Sequence, residues 1–236
     1  TQSDICTMPV TSILGNSKYI AFWDAATSHP TIYPIKAKSQ SPDAARQYFL
    51  DCKAAGIDID KGGIHHRDNE IVLNSLAMDK VDAEFNRAYS NANEYEPTGN
   101  SGVESINRML IYETVKCMTR AAIPPEFWDL VAMHCCRLLA MTREKDGKSL
   151  HELFYKSRPK YQYLRVLGCL AYVKKPKPWM DHKISDRGIP GVFMGQARNK
   201  SGYWVWTEQY GLVTSRHVTV KEHILPFRDG TVKFRR

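Results

Sequence analysis

Three carboxylates stand where the surrounding sequence predicts ordered structure. Asp4 lies near the first residue, Asp68 ends a predicted strand, and Glu104 lies in the first turn of a predicted helix. Carboxylates that the folded chain brings together bind Mg²⁺, because this ion prefers hard oxygen ligands and keeps exchangeable waters. Two such ions activate the attacking oxygen and stabilise the leaving oxygen of a phosphodiester displacement. Spacing alone does not favour this hypothesis over solvent-exposed acids, because the chain has 25 acidic residues.

The elements that must position these acids begin with short strands. The apolar runs 19–24 and 31–36 are predicted to be strands joined by a tight loop that contains Pro30. A helix is predicted to begin near Pro42 and to end at Gly56, since Pro favours the first helical turn and Gly the end. Residues 61–68 predict the strand that ends at Asp68.

Two longer helices follow, and after them the sequence pattern changes to that of short strands. Apolar side chains recur at spacings of three and four over residues 103–121, which predicts an amphipathic helix that carries Glu104. A second helix, after Pro124 and Pro125, has the most regular apolar periodicity of the chain. Beyond about residue 160 the pattern is typical of a small β-barrel. Its strands are predicted at 164–173, 189–195, 202–207 and 210–220. Helices mixed with strands, followed by strands alone, predict two domains.

The positive charge is concentrated in the C-terminal third of the chain. Residues 1–155 carry 16 Lys and Arg against 20 Asp and Glu, whereas residues 156–236 carry 17 against 5. A basic surface of this kind favours a polyanion such as DNA as the partner. The alternative is a basic surface that is merely solvated.

Several classes of protein are disfavoured. No run approaches 18 consecutive apolar residues, so the sequence predicts no transmembrane helix and no membrane partner. The first residues do not resemble a secretory signal. Six scattered cysteines without a C-x-x-C pair are typical of reduced thiols in an intracellular protein.

Two histidine-containing groups offer other metal sites. His65 and His66 are adjacent on a predicted strand, so they point to opposite faces and at most one of them faces Asp68. His134 and Cys135 lie on the apolar stripe of a predicted helix and have no ligands at suitable spacing. This favours a buried position in the core over a zinc site.

Short motifs in a fixed order extend over nearly the whole chain. They surround the three carboxylates and continue through the predicted barrel, where residues 164–173 (LRVLGCLAYV) are the most specific. The motifs are residues 3–6, 67–69, 95–100, 104–108, 123–128, 147–149, 152–155, 164–173, 188–195 and 213–218. In this order they resemble the integrase region of copia-type LTR retrotransposon Pol polyproteins.

The resemblance implies an α/β fold, with an RNase H-like integrase core followed by a small SH3-like all-β barrel. The expected division is a core at 1–145, a linker at 146–162, a barrel at 163–225 and a basic tail at 226–236. The implied reaction joins the 3′ ends of retrotransposon cDNA to target DNA. Asp4, Asp68 and Glu104 would be the catalytic residues and the ligands of two Mg²⁺ or Mn²⁺ ions. A homo-oligomer that acts in the nucleus, after a cytoplasmic particle stage, is expected.

The predicted DNA contacts come from helix geometry and from the basic C-terminal region. Asn107 and Arg108 lie one turn after Glu104 on the same helix face, where they are placed to contact the phosphate backbone. The alternative is a polar pair on the helix surface. The other predicted DNA-binding residues are Asn69, Asn100, Lys174, Lys175, Lys177, Arg198 and Lys200.

The sequence also departs from the family pattern. Glu70 and Ile71 replace the glycines that usually follow the second aspartate, and Ser105 replaces a basic residue. Asp4 lies so close to the first residue that its strand is expected to be truncated and poorly supported. These departures suggest an alternative function, a catalytically inactive or domesticated relic that binds nucleic acid or a protein.

Overall fold

The computed structural model describes residues 1–68, 72–91, 101–175, 187–198 and 201–232. The chain forms two compact units. The first unit comprises Thr1–Tyr112 and Cys135–Pro159, and the second comprises Glu113–His134 and Lys160–Arg236. Two helices, α3 (Ser101–Ala121) and α4 (Trp128–Thr142), each contribute residues to both units.

The first unit contains a mixed five-stranded sheet. Its strands are β1 (Gln2–Thr7), β2 (Lys18–Trp23), β3 (Pro30–Ile35), β4 (Gly63–Arg67) and β5 (Arg87–Asn91). The strand order is β3-β2-β1-β4-β5, and β1 is central. The hairpin strands β1, β2 and β3 pair antiparallel, whereas β1, β4 and β5 pair parallel.

One face of this sheet is covered by α1 (Ser41–Ala54), which begins with Pro in its first turn as predicted. It ends just before Gly56, whose φ of 77° is readily adopted by glycine. The buried side of α1 includes Tyr48, whose ring stacks on Phe22 of β2 with centroids 4.3 Å apart. This packing forms the centre of the first unit's core.

The helix α2 (Leu76–Glu84) and the strand β5 were not predicted from the sequence. The side-chain oxygen of Ser75 caps α2 by accepting a hydrogen bond from the Met78 N–H at 3.4 Å. A polar residue, Asp82, occupies one of the buried positions of α2 beside Val81. An acid at a core-facing position interrupts the apolar periodicity by which a helix is recognised.

The second unit contains an antiparallel five-stranded sheet in the order β11-β10-β9-β8-β12. Its strands are β8 (Leu170–Lys174), β9 (Gly188–Gln196), β10 (Tyr203–Thr207), β11 (Gly211–Ser215) and β12 (Val218–Lys221). Two predicted strands differ from those in the structure. The strand predicted at 164–173 begins only at Leu170, because Gly168 adopts a φ of 80° in a turn. The strand predicted at 210–220 is two strands, β11 and β12.

The structure divides the chain differently from the predicted boundaries. The expected linker at 146–162 includes β7 (Lys148–Ser149), which pairs with β6 (Glu144–Lys145), and α5 (Leu150–Tyr155). Phe154 of α5 is buried in the first unit's core. The expected tail begins within the second unit, because Phe227 packs against Trp206 with ring centroids 5.5 Å apart.

Residues 113–134 belong to the second unit and not to the predicted core. Phe127, which is fully buried, packs edge-on against Trp206 at a centroid distance of 5.6 Å. A Cβ added at Gly168 would come within 2.5 Å of the Ala121 Cβ. These contacts hold the end of α3 and the start of α4 on the antiparallel sheet of the second unit.

None of the six cysteines, all of which lie within the described ranges, forms a disulfide. Across the ranges that the structure covers, no helix combines the length and the apolar character that crossing a membrane requires.

A pH-dependent contribution to stability is expected from His29. Burial lowers its pKa from 6.5 to about 3, and its ring stacks on Phe154 with centroids 4.1 Å apart. His29 therefore binds a proton below pH 6.5 in the unfolded chain but not in the folded chain. The free energy of unfolding accordingly falls as the pH drops from 6.5 towards 3. From pH 7 to pH 5 we expect the free energy of unfolding to fall by about 2 kcal/mol more in wild type than in His29→Phe, a variant that keeps the stacking. Urea unfolding at both pH values measures this, and equal losses would contradict it.

Candidate active site

The pairing of β1 with β4 brings two of the three predicted carboxylates together. In this parallel pair Gln2 is opposite His66, and Ser3 is opposite Arg67. Asp4 and Asp68 directly follow this last pair, so strand alternation directs both side chains to the face opposite Ser3 and Arg67. Neighbouring strands are about 4.8 Å apart, so these two positions lie near each other where β4 ends.

The structure corrects the expectation that Asp4 lies on a poorly supported strand. β1 runs through six residues and pairs with β2 on one side and β4 on the other. The His66 N–H also donates a hydrogen bond to the Thr1 carbonyl at 2.8 Å. A central strand held on both edges positions Asp4 firmly.

The helix α3 begins on the sheet face that carries Asp4. The Val103 N–H donates to the Gln2 side-chain oxygen at 3.1 Å, and the Asn107 amide donates to Asp4 Oδ2 at 2.7 Å. Gly102 makes this approach possible, because a Cβ there would come within 2.5 Å of the Trp23 ring. Sequence reasoning did not identify Gln2, Trp23 or Gly102 as part of the site, although a glycine within the first turn of a helix is a signal of close packing.

Asn107 and Arg108 have different surroundings. Asn107 is only 7% exposed, and among the described residues its Oδ1 atom is buried without a hydrogen-bond partner. Its amide therefore orients Asp4, while its oxygen is an acceptor without a donor. Arg108 is exposed to solvent, where it remains available to a phosphate.

Glu104 is exposed, and the structure does not bring its carboxylate into a group with the two aspartates. Within the described parts of the chain, no three His, Cys, Asp or Glu side chains are grouped so that they hold a metal ion. Glu104 lies one turn before Asn107 on α3, and Asn107 contacts Asp4. Residues three apart share a helix face, so Glu104 belongs to the side of α3 that borders the aspartates.

The available donors fit a hard divalent cation in their chemistry. Asp4 and Asp68 supply carboxylate oxygens, and the unpartnered Asn107 oxygen lies next to them. Mg²⁺ prefers such oxygen ligands and completes its octahedron with water and substrate phosphates.

The two neighbouring histidines of β4 point to opposite faces, as strand alternation predicts. His65 is fully buried and hydrogen-bonded to Asp82 and Ser3 on the far side of the sheet. His66 shares the face of Asp68 and hydrogen-bonds to Ser90 of β5. Burial lowers the pKa of His66. His65 is therefore separated from the candidate site by the sheet.

The other predicted site residues fall into two groups. Lys174 is exposed on β8, and Lys175 and Arg198 are half-buried in the second unit. Four lie outside the described residues: Asn69, Asn100, Lys177 and Lys200. Glu70 and Ile71, which depart from the family pattern, lie outside them as well. His134 and Cys135 are buried, which agrees with the core assignment.

The second unit contains a domain of known class. Residues 169–233 match the family of the retroviral polymerase SH3-like domain. This match coincides with the antiparallel sheet from β8 to β12.

The whole chain has relatives of one kind. It is 26% identical over 235 residues to the retrovirus-related Pol polyprotein from transposon RE2 of Arabidopsis thaliana. It is 27% identical over 231 residues to that from transposon RE1 of the same plant. It is 24% identical over 229 residues to that from transposon TNT 1-94 of Nicotiana tabacum. The alignments cover 95%, 95% and 93% of this chain but only 15%, 15% and 17% of the relatives.

Nearly the whole chain is therefore similar to Pol polyproteins of copia-type retrotransposons, and the resemblance predicted from the ordered motifs is confirmed. Among solved structures it is similar to a chain in the simian T-cell lymphotropic virus intasome complexed with the PP2A regulatory subunit B56 gamma. The TM-score is 0.52 at 13% identity, over 93% of this chain and 77% of that one. At this identity the likeness concerns the fold alone.

Proposed function

We propose that this chain is the integrase region of a retrotransposon Pol polyprotein and joins cDNA 3′ ends to target DNA. The observation that carries the proposal is the β1–β4 register, because it directs Asp4 of β1 and Asp68, the residue that follows β4, to the same face of the sheet. The sheet order β3-β2-β1-β4-β5, with β2 antiparallel to its neighbours, supports an RNase H-like core.

The proposed site uses this chain's residues in separate roles. Asp4 and Asp68 hold the metal, and Asn107 keeps the Asp4 carboxylate in place through its amide. Glu104 joins them when its side chain turns towards the aspartates. The chemistry that bound Mg²⁺ or Mn²⁺ supplies, with two ions expected, is activation of the attacking oxygen and stabilisation of the leaving oxygen. Arg108, exposed one turn further along α3, contacts the phosphate backbone.

The second unit is proposed to bind DNA through its basic surface. Residues 156–236 carry 17 Lys and Arg against 5 Asp and Glu, and Lys174 is exposed on β8. Lys175 and Arg198 are proposed to contact DNA as well, and so are Lys177 and Lys200, which lie outside the described residues. Such an integrase works as a homo-oligomer on DNA ends in the nucleus, after a cytoplasmic stage.

A labelled DNA end tests the activity by strand transfer in Mg²⁺ or Mn²⁺. We expect Asp4→Asn, Asp68→Asn and Glu104→Gln each to lower the rate by about 100- to 1,000-fold, since a catalytic metal contributes several kcal/mol and each 1.36 kcal/mol is tenfold. The matched control is Asp43→Asn, because the Asp43 side chain is 81% exposed on α1. Asp43→Asn is expected to retain the wild-type rate.

The charge asymmetry also favours a second candidate function, a catalytically inactive nucleic-acid-binding module. This candidate stands if wild type and all three variants are equally inert while salt-sensitive DNA binding persists. Normal strand transfer by wild type, together with its loss in the variants, excludes it.

A further inference from the structure

A buried polar network lies on the sheet face opposite the candidate site. Its members are Ser3 of β1, His65 and Arg67 of β4, and Asp82 of α2, and none is more than 1% exposed. Asp82 Oδ1 lies 2.8 Å from His65 Nδ1, and Asp82 Oδ2 accepts from Arg67 Nε at 2.9 Å. His65 Nε2 lies 2.8 Å from the Ser3 hydroxyl oxygen. A single carboxylate of α2 is thus connected to both strands.

The network contacts the two strands one residue before each candidate metal ligand. Ser3 directly precedes Asp4, Arg67 directly precedes Asp68, and Ser3 is opposite Arg67 in the register. Successive side chains of a strand point to opposite faces. Fixing Ser3 and Arg67 from below therefore sets the direction and spacing of Asp4 and Asp68 above.

The hydrogen bonds of the network have defined directions. Burial lowers the pKa of His65, so its ring is neutral and carries one proton. A neutral ring that donates a hydrogen bond from Nδ1–H to Asp82 accepts one from the Ser3 hydroxyl group at Nε2. The chain from Asp82 to Ser3 is then fully hydrogen-bonded.

Arg67 also holds the chain beyond Asp68. Its Nη1 donates to the Leu73 carbonyl at 3.0 Å and to Asp79 at 2.7 Å. The guanidinium lies 4.3 Å from the centroid of the Tyr89 ring. One side chain thus connects β4, α2 and the segment that follows Asp68.

Stability alone does not account for such a network. Replacing a buried ion pair by apolar residues of similar volume is often neutral or stabilising, so a buried Arg with a buried Asp is weak evidence for a stabilising role. What the network provides is a set of directional bonds to Ser3 and Arg67, which directly precede the two acids. Hydrogen bonds around a metal site orient its ligands, and here they act through the backbone of the preceding residues.

We propose that Arg67 and Asp82, through His65 and Ser3, are positioning residues that hold β1 at Ser3 and β4 at its last residue, so that Asp4 and Asp68 keep one spacing. The metal-binding part of this inference rests on the proposed function. The holding of the two strands does not, because it concerns only groups that contact one another here.

The experiment compares Arg67→Lys, Ser3→Ala and Ile35→Val in the full chain. Lysine keeps the charge but not the fork that reaches Asp82, Asp79 and Leu73, and Ser3→Ala removes only the link to β1. Ile35→Val is the control, since Ile35 is buried on the edge strand β3, away from the network. Amide hydrogen exchange without metal, well below the melting temperature, is read for all strands of the first unit, and Mn²⁺ affinity is measured by titration calorimetry.

For Arg67→Lys and Ser3→Ala we expect faster exchange confined to residues 3–5 and 66–68. For Arg67→Lys we also expect about tenfold weaker Mn²⁺ binding, the lower end of the range for removing hydrogen bonds around a metal site. Ile35→Val should leave both the exchange rates and the Mn²⁺ affinity unchanged. Exchange that is unaltered at residues 3–5 and 66–68, or that rises equally in all strands, overturns the proposal, as does unchanged Mn²⁺ affinity in Arg67→Lys. If wild type binds no Mn²⁺ while exchange at these residues still rises in the variants, the positioning role stands and the proposed function fails.

Discussion

Replacing Asp82 with alanine is expected to lower the free energy of unfolding of the first unit by about 3–5 kcal/mol. The substitution leaves the Arg67 guanidinium buried without its main partner, and it removes the acceptor for His65 Nδ1. A buried charge that keeps only the partly exposed Asp79 as its partner costs more than the loss of one bond. Urea denaturation followed by circular dichroism measures the change.

The matched control for this prediction is Asp79→Ala. Asp79 bonds to the same guanidinium, but its side chain is 32% exposed and Arg67 keeps Asp82. A partly exposed pair of this type contributes about 1 kcal/mol or less. Equal losses in Asp79→Ala and Asp82→Ala would show that Asp82 is not the centre of the network.

Replacing Phe127 with alanine is expected to destabilise the second unit by about 3–5 kcal/mol, the usual cost of deleting a buried aromatic ring. Phe127 is fully buried and contacts Trp206 and Phe227, so the truncation leaves a cavity against the antiparallel sheet of the second unit. Because its sequence neighbours were predicted to belong to the first unit, this variant tests the division of the chain. Hydrogen exchange measured strand by strand reports which unit is affected.

The same substitution in the other unit, Phe22→Ala, is the comparison. Phe22 is fully buried in β2 and packs on Tyr48. We expect Phe127→Ala to lower protection in β9 and β10, and Phe22→Ala to lower it in β1 and β2. Loss of protection in β1 and β2 caused by Phe127→Ala would assign residues 113–134 to the first unit after all.

Local sequence patterns predicted the elements whose apolar periodicity is complete. The helices α1, α3 and α4 were recognised because their buried residues recur at helical spacing, and β2 and β3 because they are short apolar runs. The same reasoning failed for α2, where Asp82 occupies a buried position, and for β1, whose polar residues are held by pairing on both edges. In α2 and β1, contacts with residues far away in the sequence provide the stabilisation that a complete apolar pattern provides elsewhere.

The domain boundary could not be predicted for a related reason. Composition changes near residue 160, but residues 113–134 belong to the second unit through contacts such as Phe127 with Trp206. Residues far apart in sequence make these contacts. No local periodicity distinguishes a helix that packs on its own domain from one that packs on the next.

The sequence by itself determined the relationship to retrotransposon Pol polyproteins, because ordered motifs carry that information without any coordinates. It also singled out Asp4, Asp68 and Glu104. Only the tertiary structure decided that the β1–β4 register puts Asp4 and Asp68 on one face of the sheet, that Asn107 donates a hydrogen bond to Asp4, and that Glu104 is exposed. Only the structure, too, placed Arg67, His65 and Asp82 beneath the two aspartates. Strand pairing and burial depend on contacts between distant parts of the chain, and these exist only once it has folded.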